Sequence, residues 1–241
     1  MKNNANMRLD KAVCLLSGLS RTDAKKAILR RNVTVDGEVI QSPDYHADFL
    51  NKTLEICGEK YLFQSKIYIL MNKPQGVVCT SADDVRSVLR ILPDKLYRRD
   101  LFTVGRLDID TTGLLLITND GDFAHKVISP KNHVPKVYEA QLSEPINDSQ
   151  IAALLCGVTL NDGDFAKALD VTPSADKMST QIIVDCGKYH MVKRMIAAAG
   201  NSVVGLHRKS IGALSLPPDL ATGGAIILQN GEQNSAFVQK V

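Results

Sequence analysis

Apolar positions in the first forty residues follow a spacing of three and four, then change to strict alternation. Leu9, Ala12, Val13 and Leu16 fall on one helical stripe, and Gly18, free of a Cβ, is a natural end for that helix. Ser20 with Asp23 three positions later signals the start of a second helix, whose Ala24, Ala27 and Ile28 face inward. Val33, Val35, Val39 and Ile40 then flank Asp36-Gly37, a dipeptide suited to a type I′ hairpin turn. The pattern predicts helix, helix and hairpin in a small domain over residues 1–60. A short tether at about 61–65 and a larger domain over 66–241 follow.

Ile67 to Met71 reads as the first strand of the larger domain. The segment GRLDIDTTGLLLITNDG, Gly105 to Gly121, combines turn formers (Asp108, Asp110, Thr111, Thr112, Gly113) with the unbroken apolar run Leu114 to Ile117. That run is too short for three helical turns and is closed by Asn119-Asp120-Gly121, so it predicts a core strand. Asp108 then lies near the mouth of a rigid strand, two positions after Arg106. From Ile182 to Gly200 a strand leads through a turn into a helix with a stripe of Val192, Met195, Ile196 and Ala199. Lys193 and Arg194 flank that stripe, and either could lean over its edge.

Composition narrows the function class. Hydrophobic residues make up 44% of 241 residues, enough for a sizeable core, yet no apolar run approaches the roughly eighteen residues of a membrane helix. The start, MKNNANMRLDK, lacks the apolar region of an export signal, and five cysteines without paired short spacing suggest neither disulfides nor zinc. Both readings point to the cytoplasm. The net charge of +3 is mild, but its arrangement is not uniform. Arg21, Lys25, Lys26, Arg30 and Arg31 crowd the outer face of the second helix with no acid after Asp23, which favours a polyanionic partner; a solvated helix surface would carry the same residues. Lys73, Lys131, His133, Lys136, Lys188, His207, Arg208 and Lys209 flank the larger domain's motifs and, as a group, could line a groove for the same polyanion. His190 and His207 lack the spacing of metal ligands and read as structural. Neither GxGxxG nor GxxxxGK[ST] occurs, so no nucleotide cofactor is expected. Asp108 itself could be a nucleophile, a base, a turn cap paired with Arg106, or, with Asp110, half of a DxD metal site.

The wording GRLDxxTxGLLLxTNDG resembles the active-site motif of pseudouridine synthases that modify bacterial ribosomal RNA. ILMNKPQGVVCT (Ile69 to Thr80), KVYEAQLSEPI (Lys136 to Ile146) and IIVDCGKYHMVKRMIAAAG (Ile182 to Gly200) resemble the family's other motifs in order. Residues 7 to 55 are similar to an S4 RNA-binding domain. The resemblance implies an α+β protein: a small S4 domain of two helices and a hairpin, then a catalytic domain on a long mixed, mostly antiparallel sheet flanked by helices. It also implies that Asp108 acts as nucleophile at C1′ or as base, that Tyr138 stacks on the target uracil, and that Arg106 fills the gap left by the flipped base. Arg194, ahead of Lys193, would be the cation beside Asp108, with Thr111 and Thr112 fixing the aspartate loop. No cofactor or metal is implied. Where the family usually carries Arg and Gln, this chain has Lys188 and Met191. GRLDIDTTGLLL and VKRMIAAAGNSVVGLHRKSIGAL are closer to the small-subunit enzymes, which act on uridine 516 of 16S ribosomal RNA, than to the large-subunit relatives. The implied partner is that RNA or an assembling small subunit, met by a monomer. A large-subunit enzyme, or a non-catalytic RNA-binding assembly protein, remain the competing expectations.

Overall fold

A computed structural model describes residues 5–80, 84–229 and 231–238. The N-terminal part runs β1 (Asn6–Arg8), α1 (Leu9–Ser17), α2 (Arg21–Leu29), β2 (Val33–Val35), β3 (Glu38–Val39), β4 (His46–Asp48), β5 (Thr53–Ile56) and β6 (Glu59–Leu62). Gly18 closes α1 in the left-handed region at φ 70°, and the Ser20 hydroxyl accepts the Asp23 amide at 3.1 Å to open α2. Asp36 and Gly37, at φ 49° and 89°, make the β2–β3 turn with both central residues left-handed, as type I′ requires. The strands form a sheet in the order β3-β2-β5-β6, while β1 pairs with β4. Leu9, Val13, Ile28, Val33, Leu54 and Phe63 belong to one buried cluster confined to these residues.

The expected tether is shorter than the sequence pattern indicates. Residues 59–62 pair antiparallel with β5, and Phe63 is 1% exposed, its ring 6.1 Å from that of Phe49. Cys57 and Gly58, at φ 52° and 90°, repeat the left-handed pair of the first hairpin. Cysteine is a weak turn signal beside Asn or Asp, so this second hairpin is hidden in the sequence.

The larger part contains β7 (Tyr68–Lys73), β8 (Phe102–Thr103), β9 (Thr111–Thr118), α3 (Gly121–Ile128), β10 (Lys136–Leu142), α4 (Asp148–Cys156), β11 (Val158–Thr159), β12 (Phe165–Ala166), β13 (Asp170–Pro173), β14 (Ser179–Val184), α5 (Met191–Ala198), β15 (Val203–Ile211), β16 (Leu214–Ser215) and β17 (Ala225–Ile227). Nine strands share a sheet whose main path is β13-β14-β10-β15-β9-β7-β17, with β16 added to β15 and β8 to β9. The β9–β15 ladder is parallel and the other ladders among the described strands are antiparallel, so the sheet is mixed within an α+β fold. The apolar run of β9 is continuous because both faces are covered. Leu115 and Ile117 join a cluster with Met195 and Ile196 of α5, whereas Leu114 and Leu116 join another with Phe123 and Val127 of α3. β17 lies at the sheet's edge and pairs, among the described strands, with β7.

Candidate active site

The loop before β9 is held from below by a buried cation. Lys73, the last residue of β7, is 0% exposed, and its ammonium donates to the carbonyls of Pro74 (3.0 Å), Asp108 (2.9 Å) and Thr111 (2.9 Å). All three protons are used on backbone, which compensates a burial that pulls the amine's pKa down. Lys73 therefore does not line an RNA groove; it ties β7 to the aspartate loop. Thr111 and Thr112, expected to fix that loop, do not: the Thr112 hydroxyl meets His207 Nδ1 at 2.8 Å on the far face, and the Thr111 hydroxyl finds no partner within the described protein.

The Asp108 side chain is 23% exposed. Its Oδ2 lies 3.3 Å from Lys193 Nζ and its Oδ1 lies 3.2 Å from His190 Nε2. Lys193 also reaches Asp110 Oδ1 at 2.6 Å, a hydrogen bond that holds the Asp110 carboxyl below the usual range. An ammonium thus occupies the space between the two carboxylates where the DxD reading would need a divalent ion. The expectation that Arg194 leads is corrected: its guanidinium pairs with Asp162 and donates to the Tyr189 carbonyl at 3.4 Å. Successive helical residues point about 100° apart, so only one of the two can face the β9 loop. Arg106 stands exposed on the rim of the pocket beside Asp108, and the side chains that reach the Asp108 carboxylate are Lys193 and His190 instead.

His190, read from the sequence as structural, is the residue that reading missed. It caps α5 in the left-handed region at φ 49°, which swings its ring toward Asp108. Tyr189, 67% exposed, stacks on it at 3.8 Å and 16°. The available signal was the placement of His190 three residues before Lys193, which puts both on one side of a helix start.

Beside Asp108 a pocket is lined by Tyr138, Lys136 and Arg208. Lys136 and Tyr138 are two apart on β10 and so share a face; Arg208 on β15 pairs with Tyr138 in register. Tyr138 is 9% exposed. Arg208 Nε donates to the Leu114 carbonyl at 2.8 Å and Nη1 to the Tyr138 hydroxyl at 3.4 Å. Lys136 donates to the carbonyl oxygens of Val134 at 2.7 Å and Asp185 at 3.4 Å. Burial, then the nearby Arg208 charge, pulls its ammonium down to about 8. Both were expected to line an RNA groove as part of a group of loop cations; their strand positions turn them into the pocket. His207, between Leu206 and Arg208, points to the opposite face, where burial lowers its pKa. Lys188 is exposed at the rim and pairs with Asp164 at 2.7 Å. On the N-terminal part, Arg21, Lys25, Lys26, Arg30 and Arg31 are all exposed, with Lys26 3.5 Å from Asp23.

The chain that carries this carboxylate and tyrosine-walled pocket matches a known family along its sequence. The family model for RNA pseudouridylate synthases covers residues 67–198, and that for the S4 domain covers residues 7–49. The chain belongs to the RNA pseudouridylate synthase family. This synthase is 38% identical over 228 residues to the protein named ribosomal small subunit pseudouridine synthase A of Escherichia coli (strain K12), covering 90% of this chain and 94% of the relative. It is 39% identical over 221 residues to an uncharacterized RNA pseudouridine synthase, YtzG, of Bacillus subtilis (strain 168), covering 90% and 92%. A solved structure described as a pseudouridylate synthase superposes with a TM-score of 0.66 at 34% identity, over 95% of this chain and 99% of that one. The synthase is thus an isomerase with an S4 domain on the pseudouridine synthase fold. Among its described residues no helix is long and apolar enough to cross a membrane.

Proposed function

We propose that the enzyme converts one uridine of small-subunit ribosomal RNA, position 516 of 16S RNA, to pseudouridine, with Asp108 as the reacting carboxylate. The observation that carries this reading is Asp108 itself: partly open to solvent, held between Lys193 and His190, and facing a pocket walled by Tyr138. The small-subunit assignment draws support from the name of the Escherichia coli relative and from the extent of the identity. A uridine turned out of its helix enters the pocket, where the Tyr138 ring replaces the lost stacking. Arg106 at the rim is placed to fill the vacated position in the RNA, and Lys188 to contact the flanking strand. Residues 5–63 act as an S4 module whose exposed Arg21, Lys25, Lys26, Arg30 and Arg31 grip phosphates by charge and shape. The enzyme works as a monomer in the cytoplasm, on free 16S RNA or an assembling subunit, and needs no cofactor, because the reaction only relocates one bond within its substrate.

Pseudouridine mapping of ribosomal RNA from cells lacking this protein tests the reading. Loss of one small-subunit site, restored by the wild-type chain, is the expected result; an unchanged small-subunit map, or loss confined to the large subunit, would refute the assignment.

The geometry separates the two neighbouring cations. Lys193→Met removes a charge 3.3 Å from Asp108 and is expected to slow single-turnover pseudouridine formation about 10²-fold or more, whereas Arg194→Met, whose partner is Asp162, is expected to slow it less than about 10-fold. Equal effects would show that Lys193 has no special part.

A further inference from the structure

Two buried cations line the pocket without a carboxylate partner among the described residues. Arg208 is 4% and Lys136 6% exposed, and both use backbone carbonyls as acceptors. Arg208 is pinned at Nε by the Leu114 carbonyl, yet its Nη2 finds no acceptor among the described residues. The hydroxyl of Thr111, 1% exposed and lining the same pocket, has no partner either. Register explains the convergence. Tyr138 pairs with Arg208 across β10–β15, and Arg208 with Gly113 across β15–β9, so Thr111, Arg208, Tyr138 and Lys136 share one face of the sheet.

Unsatisfied buried donors and two like charges side by side cost stability in the free protein, and the arrangement suits a ligand that brings acceptors and negative charge. Resting on the pseudouridine synthase reading, we propose that Arg208 and Lys136 form a cationic floor. It binds the carbonyl oxygens of the flipped uracil and stabilises the negative charge that base carries once its bond to the sugar has broken, with Thr111 as a further donor. Whether Asp108 adds to C1′ or removes the C2′ proton, the C1′–N1 bond breaks with its electron pair going to the base. The result is a uracil anion spread over N1, O2 and O4. When C5 then bonds to C1′, either the Asp108–C1′ bond breaks and frees the carboxylate or Asp108 returns its proton to C2′; N1 takes up a proton and C5 gives one up, so no oxidant or co-reactant enters. A floor of fixed donors also favours uracil over cytosine, whose amino group would point a donor at a donor.

The groups facing Lys136 are Arg208 from β15 and Asp185 and Cys186 after β14. Since burial and Arg208 hold its ammonium near 8, the floor loses one charge above about pH 8.

The test uses the full-length enzyme and a small-subunit ribosomal RNA that the wild type converts, with rate constants from single turnovers and affinity from filter binding. Arg208→Gln and Lys136→Met are expected to lower the rate constant about 10² to 10³-fold with less than a threefold change in Kd. Placing 5-fluorouridine at the target, which departs as a more stable anion, is expected to shrink the deficit of Arg208→Gln as read by consumption of that nucleotide; loss of structure alone would slow both substrates equally. Lys136→Arg keeps its charge at high pH, so the fall in wild-type rate above about pH 8 is expected to vanish in that variant. Rates within threefold of wild type, equal deficits on both nucleotides, or an unaltered alkaline limb in Lys136→Arg would each overturn the floor. An RNA left unconverted by the wild type would instead overturn the underlying small-subunit assignment.

Discussion

Asp108→Asn is expected to abolish pseudouridine formation, by a factor on the order of 10⁴ or more, while RNA affinity stays within a few-fold of wild type. The substitution conserves shape and size, so the loop should keep its form. The contacts that set that form are made by the backbone: the Asp108 carbonyl accepts from Lys73 at 2.9 Å and from the Thr111 amide at 3.1 Å, and neither involves the carboxylate. Lys193 would also keep a partner, since Asp110 lies 2.6 Å from it. What the change removes is the negative oxygen that must either bond to C1′ or take a proton from the sugar, and an amide does neither. Mass-spectrometric quantification of pseudouridine in RNA incubated with each protein, beside a binding isotherm, checks the point. An asparagine variant that converts RNA at a rate near wild type would show that the reacting group lies elsewhere in the pocket.

The largest effect on stability is expected from Gly113→Ala. Gly113 sits at φ +104°, a region that residues with a Cβ rarely enter. A methyl group there would also fall on the backbone of Arg208, against its carbonyl oxygen and 2.7 Å from its nitrogen. Those atoms belong to the parallel ladder that joins β9 to β15, so relief requires the two strands to separate. Strain of about 1–3 kcal/mol from the dihedral and a similar amount from the overlap sum to roughly 2–6 kcal/mol. At about 2–4 °C per kcal/mol, the thermal midpoint of the catalytic part is expected to drop by roughly 4–24 °C. Because Arg208 lies at the point of collision, the variant should also lose activity below its melting range. A midpoint within 2 °C of wild type would mean that the sheet accommodates the methyl group, contrary to the packing described.

Much of this was legible in the chain. Gly18, the Ser20 cap and Asp36-Gly37 predicted the first two helices and the first hairpin because each acts through its own backbone or one three residues away. The continuous run Leu114 to Ile117 predicted a core strand, and the structure covers its two faces with α3 and α5. The second hairpin at Cys57-Gly58 was missed because its turn depends on a residue with no intrinsic preference for it. The burial of Lys73, Lys136 and Arg208 was missed for a different reason. A lysine or arginine in a polar-looking segment usually reaches solvent, and only the strand's facing decides otherwise.

Local chemistry therefore determined which elements form, where Asp108 lies in the chain, and which family the motifs resemble; these depend on interactions within a few residues, which sequence spacing records directly. The tertiary structure alone decided that Lys193 and His190, more than eighty positions away, would meet that carboxylate, that Arg194 would turn to Asp162, and that two cations would be buried in the pocket. Such choices follow from strand register and from the roughly 100° step between helical neighbours, quantities set by how the sheet and α5 pack together and written in no single stretch of residues.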